Sequence, residues 1–226
     1  MKTDPTLVFV TGAPGSAWSM MSTRLKKSLD YFDLSDEIPG RRYKIPDHHK
    51  ERYNVNDKDW AGRTHVGVYY GPYHEFGQGF DNIEKNYSKD EFVNECLKPY
   101  NGSESHKLIR SHWFAYNLDW IWDNCKGHKL FLVWRDAQAS KDWWYNMGGW
   151  DIHYPPYTWY ENDEKMWNQM QEETKCIEEF AERKNIELFD YTQSWIKDSY
   201  PDAKELQYKA EPNFGDQIKL AYVEIT

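Results

Sequence analysis

The chain has 226 residues, with 28 Lys and Arg against 37 Asp and Glu, a formal net charge of -9. An acidic surface repels nucleic acid and anionic membranes, so neither is an expected partner. No apolar run reaches the roughly eighteen residues that a membrane-spanning helix needs. Residues 1–5 carry Lys2 and Asp4 and lead straight into a short strand, so no signal peptide is expected. Cys96, Cys125 and Cys176 form no CxxC pair, which excludes the common zinc and disulfide patterns and suggests reduced thiols in a cytoplasmic protein. The chain has 12 Trp and 17 Tyr at a mean hydropathy of -0.95, so aromatic side chains must supply much of the core.

The elements follow in chain order. Residues 6–11 (TLVFVT) form a short apolar run bounded by turn residues and predict a buried strand. Gly12, Pro14 and Gly15 make a turn, and residues 16–29 predict a helix with Met20, Met21, Leu25 and Leu29 at helical spacing. Residues 33–59 read as a polar excursion, and residues 64–79 as a strand with a glycine-aromatic loop. Ser88 followed by Glu91 is a capping box that opens a helix over 88–97. Strands are predicted at 107–110, 129–134 (KLFLVW) and 186–189. Helices are predicted at about 113–123, 137–146 and 163–184, with a glycine-aromatic loop over 148–160. This alternation predicts a single α/β domain over 1–226: three layers, α/β/α, around a central, mainly parallel sheet. Ligands of such folds sit at the carboxyl ends of the strands, where the Gly12–Ser19 segment, His112 and Arg135 fall.

Gly12, Ala13, Pro14, Gly15, Ser16, Ala17, Trp18 and Ser19 lie between a strand and a helix. Backbone N–H groups at such a helix start attract anions, and the two serine hydroxyls can donate to phosphate oxygens. Against the nucleotide triphosphatase pattern GxxxxGK[ST], Gly12 and Ser19 match. Ala17 and Trp18 replace the second Gly and the Lys. Loss of that Lys argues against triphosphate chemistry, because it bridges the β- and γ-phosphates. A tight turn with no ligand is the alternative reading of the segment.

Taken together, three segments resemble the sulfotransferase family, which uses 3′-phosphoadenosine 5′-phosphosulfate (PAPS). The 12–19 loop resembles that family's 5′-phosphosulfate loop. LIRSH (residues 108–112) is similar to its strand-end KTH segment, whose histidine is the catalytic base. KLFLVWRDAQAS (residues 129–140) is similar to the strand, Arg and Ser that hold the 3′-phosphate. The resemblance implies a P-loop-like sulfotransferase architecture and PAPS as co-substrate, with no metal required. It also implies His112 as base and Arg135 with Ser140 at the 3′-phosphate.

Two departures stand out. The family's loop Lys or Arg falls on Ala13 or Gly15, depending on the anchor, so the loop has no cation. The family's Ser falls on Trp143, and Ser140 stands one helical turn earlier on the same face. Gly215-Asp216 after Lys209 is faintly similar to the family's second 3′-phosphate segment.

Each residue has a plainer alternative. His112 is either the base or a hydrogen-bonded structural histidine. Arg135 either grips phosphate with its fork or pairs with Asp136. Arg110, two residues before His112 and so on the same strand face, is a candidate source of catalytic charge. Arg24 is another replacement for the absent loop cation. His65, Tyr69, Tyr70 and His74, with Trp143, Trp144 and Trp150, either line an acceptor site or pack in the core. The acceptor expected is a small molecule or a carbohydrate. Two further functions compete: a binding-only relative, and a kinase-like enzyme with Asp136 as its Mg²⁺ carboxylate.

Overall fold

A computed structural model describes residues 6–18, 21–22, 25, 32–33, 79–98, 100, 107–146, 162–191 and 218–226. Within them six strands form one sheet in the order β2-β3-β1-β4-β6-β5. β1 is Leu7–Gly12, β2 Phe32–Asp33, β3 Lys107–Arg110, β4 Lys129–Arg135, β5 Phe189–Asp190 and β6 Ile218–Glu224. The first four in that order are mutually parallel, and β6 runs antiparallel to both β4 and β5. The chain is therefore α/β with an open, mixed and mostly parallel sheet.

β1 sits between β3 and β4 and is buried at all six positions, as expected of a strand covered on both faces. Strand side chains alternate between faces, and the core divides accordingly. Leu7, Phe9, Ile109, Leu130 and Leu132 pack with Phe92 of α2 (Lys89–Leu97), Ile121 of α3 (Leu118–Asn124) and Ile177 and Phe180 of a long helix, Asp163–Arg183. Val8, Val10, Leu108, Phe131 and Val133 pack with Trp18, Met21 and Leu25, which are helical, on the other face.

Aromatic residues fill the first core, as composition predicts. Phe9 lies 5.5 Å from Phe92 and 5.6 Å from Phe114, and Phe80 closes the group at 5.1 Å from Phe92. Such ring pairs each add about 0.5–1.5 kcal/mol beyond their buried area. The capping box is present: Ser88 N–H donates to Glu91 Oε2 at 2.9 Å, and Glu91 N–H donates to Ser88 Oγ at 3.4 Å. A short helix, α1 (Ile83–Asn86), precedes it.

Two expectations need correction, and one strand was not predicted. The helix predicted from 113 begins as a 3₁₀ segment, His112–Asn117, before α3. Ser111 enforces that tight turn: its hydroxyl accepts from Trp113 N–H at 3.3 Å and its carbonyl from Phe114 N–H at 3.3 Å. The strand predicted at 186–189 reduces to Phe189–Asp190. Asn185, at a φ of 52°, stops the long helix, and Ile186 N–H bonds back to Ala181 O at 2.8 Å in a left-handed C-terminal motif. β6 was not anticipated, because Lys219 and Glu224 interrupt its apolar pattern. In the sheet Lys219 faces Trp134 across the β4 register, its ammonium 5.1 Å from the indole centre. The excursion over 33–59, beyond its first residue, and the loop over 148–160 lie outside the described residues, as does the strand and loop over 64–79 up to Gly79.

Candidate functional site: a glycine loop beside a buried histidine

The parallel register brings three strand ends to one edge of the sheet. Gly12 pairs with Val133 of β4, and Val10 with Arg110 of β3. Ser16 N–H donates to Ala13 O at 3.0 Å, closing a four-residue turn. Pro14 at the second position and Gly15 at the third, with a φ of 77°, give it type II character. Gly15 is also required by crowding. A Cβ there would lie 2.0 Å from the backbone oxygen of Ser140, on α4 (Ala137–Asn146). Loop and helix therefore touch backbone to backbone.

Ala17 follows at a φ of 66°, the left-handed region that the second glycine of the triphosphatase pattern would occupy freely. Its carbonyl accepts Met21 N–H at 3.0 Å and so begins the helix. Trp18, in the lysine position, is buried in the core with Val10, Met21 and Leu25. The indole thus supports the loop from within instead of offering a charge to it.

Around Gly15 several polar groups are buried and lack partners. Ser16 Oγ, Ser140 Oγ and Arg135 Nε make no hydrogen bond. Ser16 and Ser140 are 0% exposed and Arg135 is 7% exposed. Arg135 ends β4, reaches Gly15 O through Nη1 at a long 3.5 Å, and lies 5.5 Å over the Trp143 ring. It forms no ion pair with the described residues. Burial pushes its guanidinium below the ordinary value, and Asp136 and Asp142 oppose that only in part. Asp136 instead caps α4, its Oδ1 accepting Ala139 N–H at 3.0 Å. A buried cation beside two buried hydroxyls without partners is unfavourable unless an anion completes it.

His112 stands at the end of β3, and its carbonyl accepts the Thr11 hydroxyl at 3.2 Å, directly before the loop. Its Nδ1 lies 2.7 Å from Glu173 Oε1 on the long helix, which we call α5. Gln169 Nε2 bonds the same carboxylate oxygen and also Tyr116 Oη at 2.6 Å. Glu173 is fully buried and its Oε2 makes no hydrogen bond. Burial raises its carboxyl above the ordinary range, and His112 works against that rise. Asn117 anchors the other end of the 3₁₀ segment, accepting from Ile83 N–H at 2.9 Å and donating to Phe80 O at 2.9 Å.

The structure gathers Gly12, Ala13, Pro14, Gly15, Ser16, Arg135, Ser140 and Trp143 around the loop, with His112 one strand away. Arg110 does not share the surroundings of His112. Arg110 Nη1 donates to Ser22 Oγ at 3.1 Å, on the side where Leu108, Met21 and Leu25 pack, whereas His112 meets α5 on the other side. The backbone turns into the 3₁₀ segment at Ser111, which breaks the two-residue alternation between them. Ser19, Arg24, His65, Tyr69, Tyr70, His74, Trp150, Lys209, Gly215 and Asp216 lie outside the described residues. Glu173 was missed by sequence reasoning. It was legible in principle, as a carboxylate on the buried stripe of Met166, Met170, Ile177 and Phe180.

Among the described residues no helix is long and apolar enough to cross a membrane. Comparison with protein-family models, with curated proteins and with solved structures finds no match.

Proposed function

We propose that this chain is a sulfotransferase, moving a sulfuryl group from PAPS to a hydroxyl or amine of a small-molecule or sugar acceptor. The supporting observation is the group of buried, partnerless donors around Gly15: Ser16 Oγ, Ser140 Oγ and Arg135 Nε. In this reading the loop over 12–19 takes the 5′-phosphosulfate on backbone N–H groups and the Ser16 hydroxyl. Arg135 and Ser140 take the 3′-phosphate, and the Arg fork suits two phosphate oxygens. The acceptor oxygen attacks sulfur, and the bond from sulfur to the 5′-phosphate oxygen breaks. The acceptor proton passes to His112. 3′,5′-ADP leaves. The chemistry asks for no metal.

A second reading, nucleotide binding without turnover, draws on two observations. No Lys or Arg stands in the 12–18 loop, and Arg110 is bonded to Ser22. A kinase-like reading is weaker, because Asp136 is used as a helix cap and Trp18 as core.

Calorimetry decides first: 3′,5′-ADP should bind more tightly than ATP, and the reverse order would overturn the proposal. His112→Ala should then abolish PAPS turnover while 3′,5′-ADP affinity stays; unimpaired turnover would remove His112 from the chemistry. A wild type that binds the bisphosphate and transfers nothing would favour the binding-only reading.

A further inference from the structure

Resting on the sulfotransferase reading of this site, we infer that Glu173 is the positioning residue of His112. The pair consists of a His Nδ1 and a fully buried Glu Oε1 at 2.7 Å, joining residues 61 positions apart in sequence. A neutral imidazole carries one ring proton. A carboxylate at Nδ1 fixes that proton there and leaves Nε2 as the ring's acceptor, which is the form a general base requires. When the ring takes a second proton from the acceptor, the nearby carboxylate stabilises the imidazolium. The proton arrives on Nε2 and the Nδ1–H bond is kept, so the charge balance closes within the pair.

Glu173 is itself oriented. Gln169, one turn earlier on α5, donates to the oxygen that faces His112, and its amide nitrogen also meets Tyr116 Oη. Tyr116 lies on the same 3₁₀ segment as His112. Burial raises the Tyr116 phenol far above its ordinary value, so it remains a neutral hydroxyl in this network. Three side chains from two elements thus lock one imidazole. A structural clasp alone would not need a carboxylate: burying one without a cation is costly, and an apolar residue at this stripe position would pack as well.

The test uses the whole chain, ¹⁵N-labelled at histidine, as wild type, Glu173→Gln and Glu173→Leu. Nitrogen chemical shifts of His112 should report the Nδ1–H tautomer in the wild type. Gln, whose amide oxygen still accepts, should keep that tautomer, and Leu should lose it in favour of Nε2–H. Release of 3′,5′-ADP from PAPS, with water as acceptor, should fall on the order of 10²-fold in the Leu variant. The KM for PAPS should stay within about twofold, since neither Glu173 nor His112 is among the proposed phosphate contacts. An Nε2–H tautomer in the wild type, with a protonated Glu173 donating to the ring, would overturn the inference even if the Leu variant failed to fold. So would an unchanged tautomer or PAPS release rate in a folded Leu variant. If the tautomers behave as expected but the wild type binds no 3′,5′-ADP, the sulfotransferase reading falls and the pairing stands.

Discussion

Replacing Arg135 by Met should separate affinity from stability. The side chain volume is nearly kept, so no large cavity opens. In the free protein the substitution removes the stacking over Trp143, worth about 1 kcal/mol. It also removes a buried guanidinium whose Nε has no acceptor, a burden of about 1–3 kcal/mol. The unliganded variant should therefore be as stable as the wild type, or more so by about 1 kcal/mol. With 3′,5′-ADP the sign reverses. Two charge-assisted bonds to a phosphate contribute about 3 kcal/mol or more together, so Kd should rise by at least roughly a hundredfold. Arg135→Lys keeps the charge and loses the fork, and should fall between the two. Urea unfolding of the free protein and calorimetry with 3′,5′-ADP read the two effects separately. A Met variant with intact affinity and a stability loss above about 3 kcal/mol would refute the reasoning and make Arg135 a structural residue.

Other substitutions probe the loop and the buried pair. Gly15→Ala forces a Cβ to within 2.0 Å of the Ser140 backbone oxygen at a φ of 77°, so loop and α4 must part. Unfolding should show a loss of at least about 2 kcal/mol, together with weaker 3′,5′-ADP binding; neutrality on both counts would contradict the contact. Ala17→Gly relieves the left-handed strain at a φ of 66° and should gain about 0.5 kcal/mol after the extra chain entropy is subtracted. Urea midpoints would detect it, and a loss of stability would argue against the strain. Glu173→Gln should change the pH dependence of stability. Burial raises the folded carboxyl above its ordinary value of 4.5, so the unfolded chain releases its proton first as pH rises. Wild-type stability from this group is complete below about 4.5 and is lost as pH rises through the folded value. The Gln variant lacks that slope, and denaturation at a series of pH values should show it gaining on the wild type across this window.

Much of the local structure was written in the chain. The apolar run before Gly12, the Ser88–Glu91 capping box and the strand ending at Arg135 depend on near neighbours, and each appears where its pattern lies. Sequence also placed the loop, His112 and Arg135 at strand ends on one edge of an α/β order, and the sulfotransferase resemblance alone added Ser140. Four features waited for tertiary structure. β6 is held by its seven-residue register with β4, in which Trp134 covers Lys219, so its own interrupted pattern did not announce it. Arg110 and His112 part because a 3₁₀ turn begins between them. Composition alone made the chain acidic, with 37 Asp and Glu against 28 Lys and Arg, and left the 12–18 loop without a cation. Only folding buried Arg135 without an ion pair to the described residues and brought Glu173 to His112. Those outcomes depend on packing between segments far apart in sequence, where burial and not spacing sets the energy of a charge.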